Sequence, residues 1–418
     1  MSLEKNQTAV IEAGTLNSLF ESVTEIEGTK LVCSGLLPGE KAEVKIVKAG
    51  KNISFGKVIN VLEPDNDRVT PECRNEKCTG CGLIFASYQK QLEMKKENIS
   101  GLYGRNIDVI PSLQYGYRNR AILPVGKEDG KVTVGIYRNN SHDLTDWTFP
   151  CPVLSEKINS IISEVRTALN DVSEEKLPEQ LFIRGAGNSY QAGFIIKEPS
   201  KFIDTILSKL KDRIPELESV FYSLSTGTNS VLVKDPVFTA GADHCVLETS
   251  NGSYSVSPGS FFQANIFILN KILDRIRNFI EPGTKVLDLY SGCGVLSDFP
   301  GAIRTCVESN ASSFGFLEAN GSLNLISADA SEAAGLTAKG DFDIIIADPP
   351  RKGIDHETLE AIDSSSAHTF INLSCEPKTQ KRDVELLKNF EISEITAYDM
   401  FPNTVHIESL AILKRKAL

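Results

Sequence analysis

Residues 285–294 read KVLDLYSGCG. An apolar run with one Asp, closed by a turn flanked by glycines, reads as a buried strand that delivers its end to a ligand. That commits the chain to an open α/β sheet. Gly292 and Gly294 let the backbone approach what it binds. A lone Gly-x-Gly is a weak signal, but three features support this one. Glu308 closes the next strand-like run, IRTCVE, where it faces ribose hydroxyls. Asp329 follows in ISADA, placed to meet an adenine amino group. Phe342 to Ala347 is a third run and ends in Asp348-Pro349-Pro350-Arg351. That order fits S-adenosylmethionine. A dinucleotide asks for Gly-x-Gly-x-x-Gly and a phosphate grip. A helix is expected after the Gly turn, in VLSDFPGA, although Pro300 lies inside it. Phe261-Phe262-Gln263-Ala264-Asn265 precedes a further helix, with Ile266, Leu269, Ile272, Leu273, Ile276 and Ile280 on one side and Pro282-Gly283 as its stop.

Ile371 to Thr379 reads INLSCEPKT, a fourth strand-like run that ends on Cys375. Strand ends are where open α/β sheets hold ligands, so Cys375 is a candidate nucleophile. A single cysteine is more often a small buried hydrophobe. Near the C-terminus DMFPNTVHIE leads into the strand HIESLAIL, with Glu408 at its start. Alone, Glu408 would read as an edge carboxylate and His406 as a structural histidine. Together the parts make one chemistry. Carbon 5 of uracil is a poor nucleophile until a thiolate adds to carbon 6, and a base must later remove the carbon 5 proton. Such a reaction needs an activated Cys, a carboxylate and a sulfonium donor. The target base must leave its stack to reach the cleft.

Residues 1–64 read as a small all-β barrel, with Leu36 to Glu40 as a tight turn before the alternating strand KAEVKIVK. Residues 65–258 read as an α+β domain. Its helices are Ser87 to Gly101, Glu156 to Leu169 and Ser200 to Ile214, and its strands include YRNRAILPV and KVTVGIYR around the turn Asp129-Gly130. Residues 259–418 form the α/β, Rossmann-like ligand domain. The chain has 418 residues, enough for two or three domains. No apolar run is long enough to span a bilayer and the start is polar, so a cytoplasmic protein is expected, a monomer by default.

The net charge of -11 argues weakly against nucleic acid. The average hides local basic stretches: Lys41, Lys45, Lys48, Lys51 and Lys57, and Tyr115 to Arg120, which reads YGYRNR. Most such runs are solvated faces. Nine cysteines, an odd number, argue against a disulfide framework. Cys73, Cys78, Cys81 and the distant Cys151 are grouped as metal ligands. Four thiolates suit tetrahedral zinc or an iron–sulfur cluster, and spacing alone does not separate them.

With these motifs set out, the sequence resembles the RNA 5-methyluridine methyltransferases over nearly its whole length. The resemblance is carried by Leu37-Pro38-Gly39-Glu40 with Leu62-Glu63-Pro64 and Arg68, which match a TRAM domain, and by the four cysteines, Tyr117-Arg118-Asn119, FFQAN, DLYSGCG, DPPRKG, SCEPKT and FPNTVHIE. It implies Cys375 as nucleophile and Glu408 as base. It implies Gln263, Tyr290, Glu308 and Asp348 as S-adenosylmethionine contacts beside the Gly292/Gly294 turn and Asp329. It implies a [4Fe-4S] cluster on Cys73, Cys78, Cys81 and Cys151, with zinc as the alternative. It also implies an RNA partner, and it resembles the 23S ribosomal-RNA branch more than the short transfer-RNA enzyme. Two departures stand out. Cys73 and Cys78 are one residue closer than the family pattern, and the run from Gly294 to Asp329 is short, which bears on Asp329 most. Cytosine-directed enzymes carry Pro-Cys where this chain has Pro349-Pro350, and adenine N-methyltransferases want an aromatic where Arg351 stands. The alternative of another class is a cluster-bearing RNA-binding protein with a decayed pocket.

Overall fold

The computed structural model describes residues 3–26, 28–73, 75, 78–137, 144–146, 150–225, 233–319 and 324–417. Strands Thr8–Glu12, Thr15–Leu16, Ser22–Ile26, Thr29–Cys33, Lys41–Lys48 and Ile53–Glu63 build the first sheet, in the order first, fifth, sixth, fourth, third, second. The alternation in Lys41–Lys48 sorts its side chains up to Ile46: Ala42, Val44 and Ile46 are fully buried while Lys41 and Lys45 are exposed. The expectation here is a small β-barrel. The described ladder has six strands, and its two edge strands do not pair with each other. Glu40 closes the turn before the fifth strand. Its carboxylate accepts from the N–H groups of Leu37 and Asp65, at 2.8 and 3.1 Å, and from the Arg68 guanidinium.

The second sheet has seven strands, in the order Leu144–Asp146, Lys131–Tyr137, Arg120–Glu128, Gln180–Ala186, Ser189–Ile196, Leu217–Leu224, Val237–Gly241. The one parallel pair, Ser189–Ile196 with Leu217–Leu224, is joined through helix Lys201–Arg213. That helix and Glu156–Leu169 bury apolar stripes, Ile203, Ile206, Leu207 and Leu210 on one and Ile158, Ile161, Ile162 and Val165 on the other, against one face of the sheet. Phe182 and Phe221 lie in a separate cluster, with Phe238 packed against them. Arg138, the end of the expected strand KVTVGIYR, lies outside the described residues. A hairpin, Cys245–Thr249 with Gly252–Val256, follows.

The third sheet carries the candidate site. Its strands are β1 (Lys285–Leu289), β2 (Ile303–Val307), β3 (Asn324–Ile326), β4 (Ile344–Ala347), β5 (Thr369–Ser374), β6 (Phe390–Tyr398) and β7 (Glu408–Arg415), in the spatial order β3-β2-β1-β4-β5-β7-β6. The first five run parallel, and β7 enters antiparallel between β5 and β6. An eighth strand, Val109–Ile110, pairs with the outer edge of β6 although it lies far upstream. Helix Tyr88–Tyr103, capped by Ser87, packs in the same core. Leu83, Met94, Ile99 and Ile107 share a cluster with Leu287, Ile345, Phe370 and Ala411. This helix runs past Gly101 and stops at Gly104, whose φ of 66° supplies the left-handed cap. Helix Ile266–Arg277 ends at Asn278, before the expected Pro282-Gly283 stop. No described helix is long and apolar enough to cross a membrane.

Candidate active site

The end of β5 and the start of β7 meet at one point. Ser374 pairs with Ser409 in the antiparallel ladder, so the next residues outward, Cys375 and Glu408, face each other across the strands. Ala347 pairs with Asn372, which brings Asp348, just beyond β4, to the same edge. Cross-strand neighbours of this kind have Cβ atoms roughly 4.5–5.5 Å apart. Glu408 is only 2% exposed, and its Oε1 has no hydrogen-bond partner among the described residues. Burial, then the Asp348 charge, push its carboxyl well above the usual range, with Arg351 opposing. Burial also pushes the Cys375 thiol up to about 11, helped by Glu408 and Asp348 and opposed by Arg351. At neutral pH Cys375 therefore rests as a thiol, beside a carboxyl whose ionisation burial disfavours.

The loop between β6 and β7 is held from outside the sheet. Lys95 of helix Tyr88–Tyr103 donates to Asp399 at 2.6 Å, both side chains fully buried, and to the Phe401 carbonyl at 3.3 Å. Asn403 takes a φ of 67°. Its N–H donates to Gln91 Oε1 at 2.9 Å, and Gln91 Nε2 returns to its side-chain oxygen at 3.1 Å. Tyr117 donates its hydroxyl to the Pro402 carbonyl at 3.1 Å. The stretch read as a basic aromatic patch is thus partly structural. Tyr117 and Asn119 are buried, because their polar groups tie segments together. Arg118 lies 5.9 Å from the Phe401 ring, and His406 is edge-on to the same ring.

On the donor side, Tyr290, Gly292 and Gly294 all have positive φ, 59°, 54° and 75°. A Cβ on Gly294 would come within 2.6 Å of Leu317. The Glu308 carboxylate accepts from the N–H groups of Gly292 at 2.7 Å and Asn310 at 2.6 Å. Gln263 Nε2 donates to Asp348 at 3.1 Å, which joins the donor side to the Cys375 side. Gln263, Gly292, Glu308 and Asp348 are therefore brought together around the strand ends, with Tyr290 contiguous. This polar rim of carboxylates and a permissive turn fits a nucleoside with hydroxyls. Asp329 is exposed, its N–H bonded to Glu332, and among the described residues no hydrogen bond ties it to the others.

The helix expected after the Gly turn does not form. Residues 295–302 make turns instead, because Pro300 lacks an N–H and disfavours the helical region at Phe299. Side chains pin these turns. Ser297 donates to Asp288 at 2.6 Å, Arg304 pairs with Asp298 at 3.1 Å, and Tyr254 donates to Asp298 at 2.7 Å. Buried Asp288 has its carboxyl raised to about 7, by burial first, with Ser297 opposing. Lys95 and Gln91 carry no motif, so only their tertiary partners mark them, and Asp288 and Asn403 lie inside DLYSGCG and FPNTVHIE without a role that the motif names.

Among the described residues no three His, Cys, Asp or Glu side chains are arranged as a closed metal site. The four candidate thiols are nonetheless neighbours. Burial pushes Cys81 up to about 12, and charges on Cys151, Cys78 and Cys73 push the same way. The soft donor set still fits a metal or cluster.

A parallel sheet with one antiparallel strand inserted near its edge, and a polar rim at the strand ends, defines a methyltransferase fold. Residues 336–416 match the tRNA (Uracil-5-)-methyltransferase family. The chain is 28% identical over 451 residues to an uncharacterized RNA methyltransferase of Oceanobacillus iheyensis, covering 99% of this chain and 98% of that protein. A similar protein of Clostridium tetani is 27% identical, with 98% and 97% covered. The crystal structure of the Pyrococcus abyssi tRNA (uracil-54, C5)-methyltransferase in complex with S-adenosyl-L-homocysteine superposes with a TM-score of 0.79. It is 23% identical, with 96% of this chain and 98% of that one covered, so the fold is shared throughout. Over nearly its whole length the chain is thus similar to RNA methyltransferases, and it shares the fold of one crystallised with S-adenosyl-L-homocysteine.

Proposed function

We propose that the protein methylates carbon 5 of a uridine in RNA through a covalent adduct on Cys375, with Glu408 as the base. The observation that carries this reading is the placement of Cys375 and Glu408 face to face at the ends of β5 and β7. The Cys375 thiol gives up its proton to solvent as its sulfur bonds to carbon 6, and carbon 5 takes the methyl group while S-adenosylhomocysteine departs. Glu408 accepts the carbon 5 proton, and the carbon–sulfur bond breaks to return the thiolate. Gln263, Tyr290, Gly292, Gly294, Glu308 and Asp348 line the donor pocket in this reading, and Asp329 contributes least. Glu408→Gln is expected to trap a protein–RNA adduct resistant to denaturing gel electrophoresis. Free methylated RNA from that variant would sink the base assignment.

Three modules divide the work in this reading: residues 1–64 bind RNA, residues 65–258 position it and residues 259–418 carry the chemistry. Lys45 and Lys57 are cross-strand partners, and Lys48 sits 5.7 Å from the half-exposed Phe55 ring, which suits a phosphate backbone with a stacked base. The barrel-like module and the cysteines support ribosomal RNA, 23S in particular. A transfer-RNA substrate is the second reading, favoured by the likeness to the Pyrococcus abyssi enzyme. Cys73, Cys78, Cys81 and Cys151 would hold a [4Fe-4S] cluster, and four thiolate ligands leave it a structural tie. Protein purified without oxygen is expected to carry iron and sulfide in equal amounts. Zinc in their place would overturn the cluster assignment.

A further inference from the structure

The segment Val256–Ala264 links the central sheet to the donor pocket, and its carbonyl groups are claimed from both sides. From the central sheet, Gln191 donates to Val256 at 3.2 Å, and Arg184 donates to Ser257 at 2.8 Å and Ser260 at 2.7 Å. Asn119 donates from its side chain to Gln263 at 3.0 Å and from its backbone to Ala264 at 2.9 Å. From the donor turn, Asn310 donates to Gly259 at 2.9 Å and Cys293 to Phe261 at 3.3 Å. Gln263, at the end of this strap, reaches Asp348.

The same central segment grips the target side. Tyr117, two residues before Asn119, bonds Pro402, and Arg118 stands at the Phe401 ring. The Asn119 carbonyl accepts from Gly185, next to Arg184. One short stretch of backbone thus touches the loop that presents Glu408 and the strap that presents Gln263. The joint also holds an unused pairing. Arg184 and Gln191 are partners in register, and both are fully buried. Arg184 Nε and Gln191 Oε1 nonetheless have no hydrogen-bond partner among the described residues. A buried donor and acceptor left apart in this way are costly. The hydrogen bonds to the strap thus leave one donor and one acceptor of the joint unused.

We infer that the strap couples the two substrates: RNA engaged at the Phe401 loop and donor bound at Gln263 and Glu308 strengthen each other through Asn119, a positioning residue. This rests on the proposed function. Linkage makes the effect reciprocal, and couplings of this kind are typically about 5- to 150-fold. The test is calorimetry of S-adenosylhomocysteine binding, with and without a saturating unmodified 23S ribosomal RNA transcript, or a tRNA transcript under the second substrate reading. The wild type is expected to bind it at least about fivefold more tightly with RNA. In Asn119→Ala that ratio should fall to within about twofold of one, the margin for uncoupled sites, while RNA affinity measured alone is unchanged. Gln191→Met is a second lesion of the strap at a different point, losing the bond to Val256 while keeping the side-chain volume; its ratio should fall as well. A wild-type ratio of one, or ratios unchanged in both variants, overturns the inference alone. If the wild type binds no S-adenosylhomocysteine at all, the proposed function falls and takes the inference with it.

Discussion

The two halves of the candidate site are built differently. The Cys375 half sits on the ends of β4, β5 and β7, three strands buried over most of their length, and its groups are set by ladder register. The Glu308 half sits on turns. Its glycine turn leads into no helix, Glu308 is already satisfied by two backbone N–H groups, and Asp329 stands in solvent. Register tolerates little error, since a slip by one residue would turn Cys375 to the other face. Turns held by single side chains can adjust. Substitutions in the first half should therefore act on the chemical step, and those in the second half on donor affinity.

The sharpest test of that contrast is Cys375→Ala. It should lower kcat by on the order of 10⁴-fold or more, as loss of a covalent nucleophile does, with RNA binding by filter retention almost unchanged. Loss of RNA binding as well would make Cys375 structural and erase the distinction. The next effect is in pH. The thiol is raised to about 11, so the reactive thiolate grows as pH rises and does not saturate below that value. Alkylation of the Cys375 peptide by iodoacetamide, followed by mass spectrometry, should speed up about tenfold per pH unit from neutrality upward. A plateau near pH 8 would show a thiolate stabilised in the free enzyme. On the donor side, Glu308→Gln replaces a charge-assisted acceptor of two N–H groups. It should raise the KM for S-adenosylmethionine about 10- to 100-fold with kcat little changed. Asp329→Ala should move the same KM by less than about threefold, as an exposed substitution does. Equal effects from the two would put the adenine back beside Asp329.

Much of this contrast is legible in the sequence where the signal is local. The alternation in KAEVKIVK gives the strand Lys41–Lys48 with its faces, and apolar spacing gives helix Glu156–Leu169 to the residue. A short apolar run ending in Ser-Cys gives β5 and the position of Cys375. Local signals fail where a residue answers to something far away. Lys95 and Asp399 are separated by 304 positions, and nothing near either one marks a buried ion pair. Val109–Ile110 is two residues long, too short for any period, and owes its strand to the free edge of β6. The helix expected after the glycine turn failed for a readable reason, Pro300, which the pull of the motif had outweighed. Cysteine spacing says which thiols can gather, but not the geometry they reach without a metal.

The place of β7 in the sheet has a consequence for how the chain is made. It is the last strand of this sheet in chain order, yet it lies inside, between β5 and β6. Until it emerges, β5 and β6 each show an unpaired edge, and the core shared with Met94 and Ile99 lacks Ala411 and Leu413. An unpaired edge invites pairing with other chains. The nascent chain must therefore wait, with these edges open, for a pairing of high contact order that forms slowly. Glu408 stands at the first position of this strand, so the group proposed to remove the proton is installed by the same event that closes the sheet. No growing chain can hold a complete site before its fold is finished.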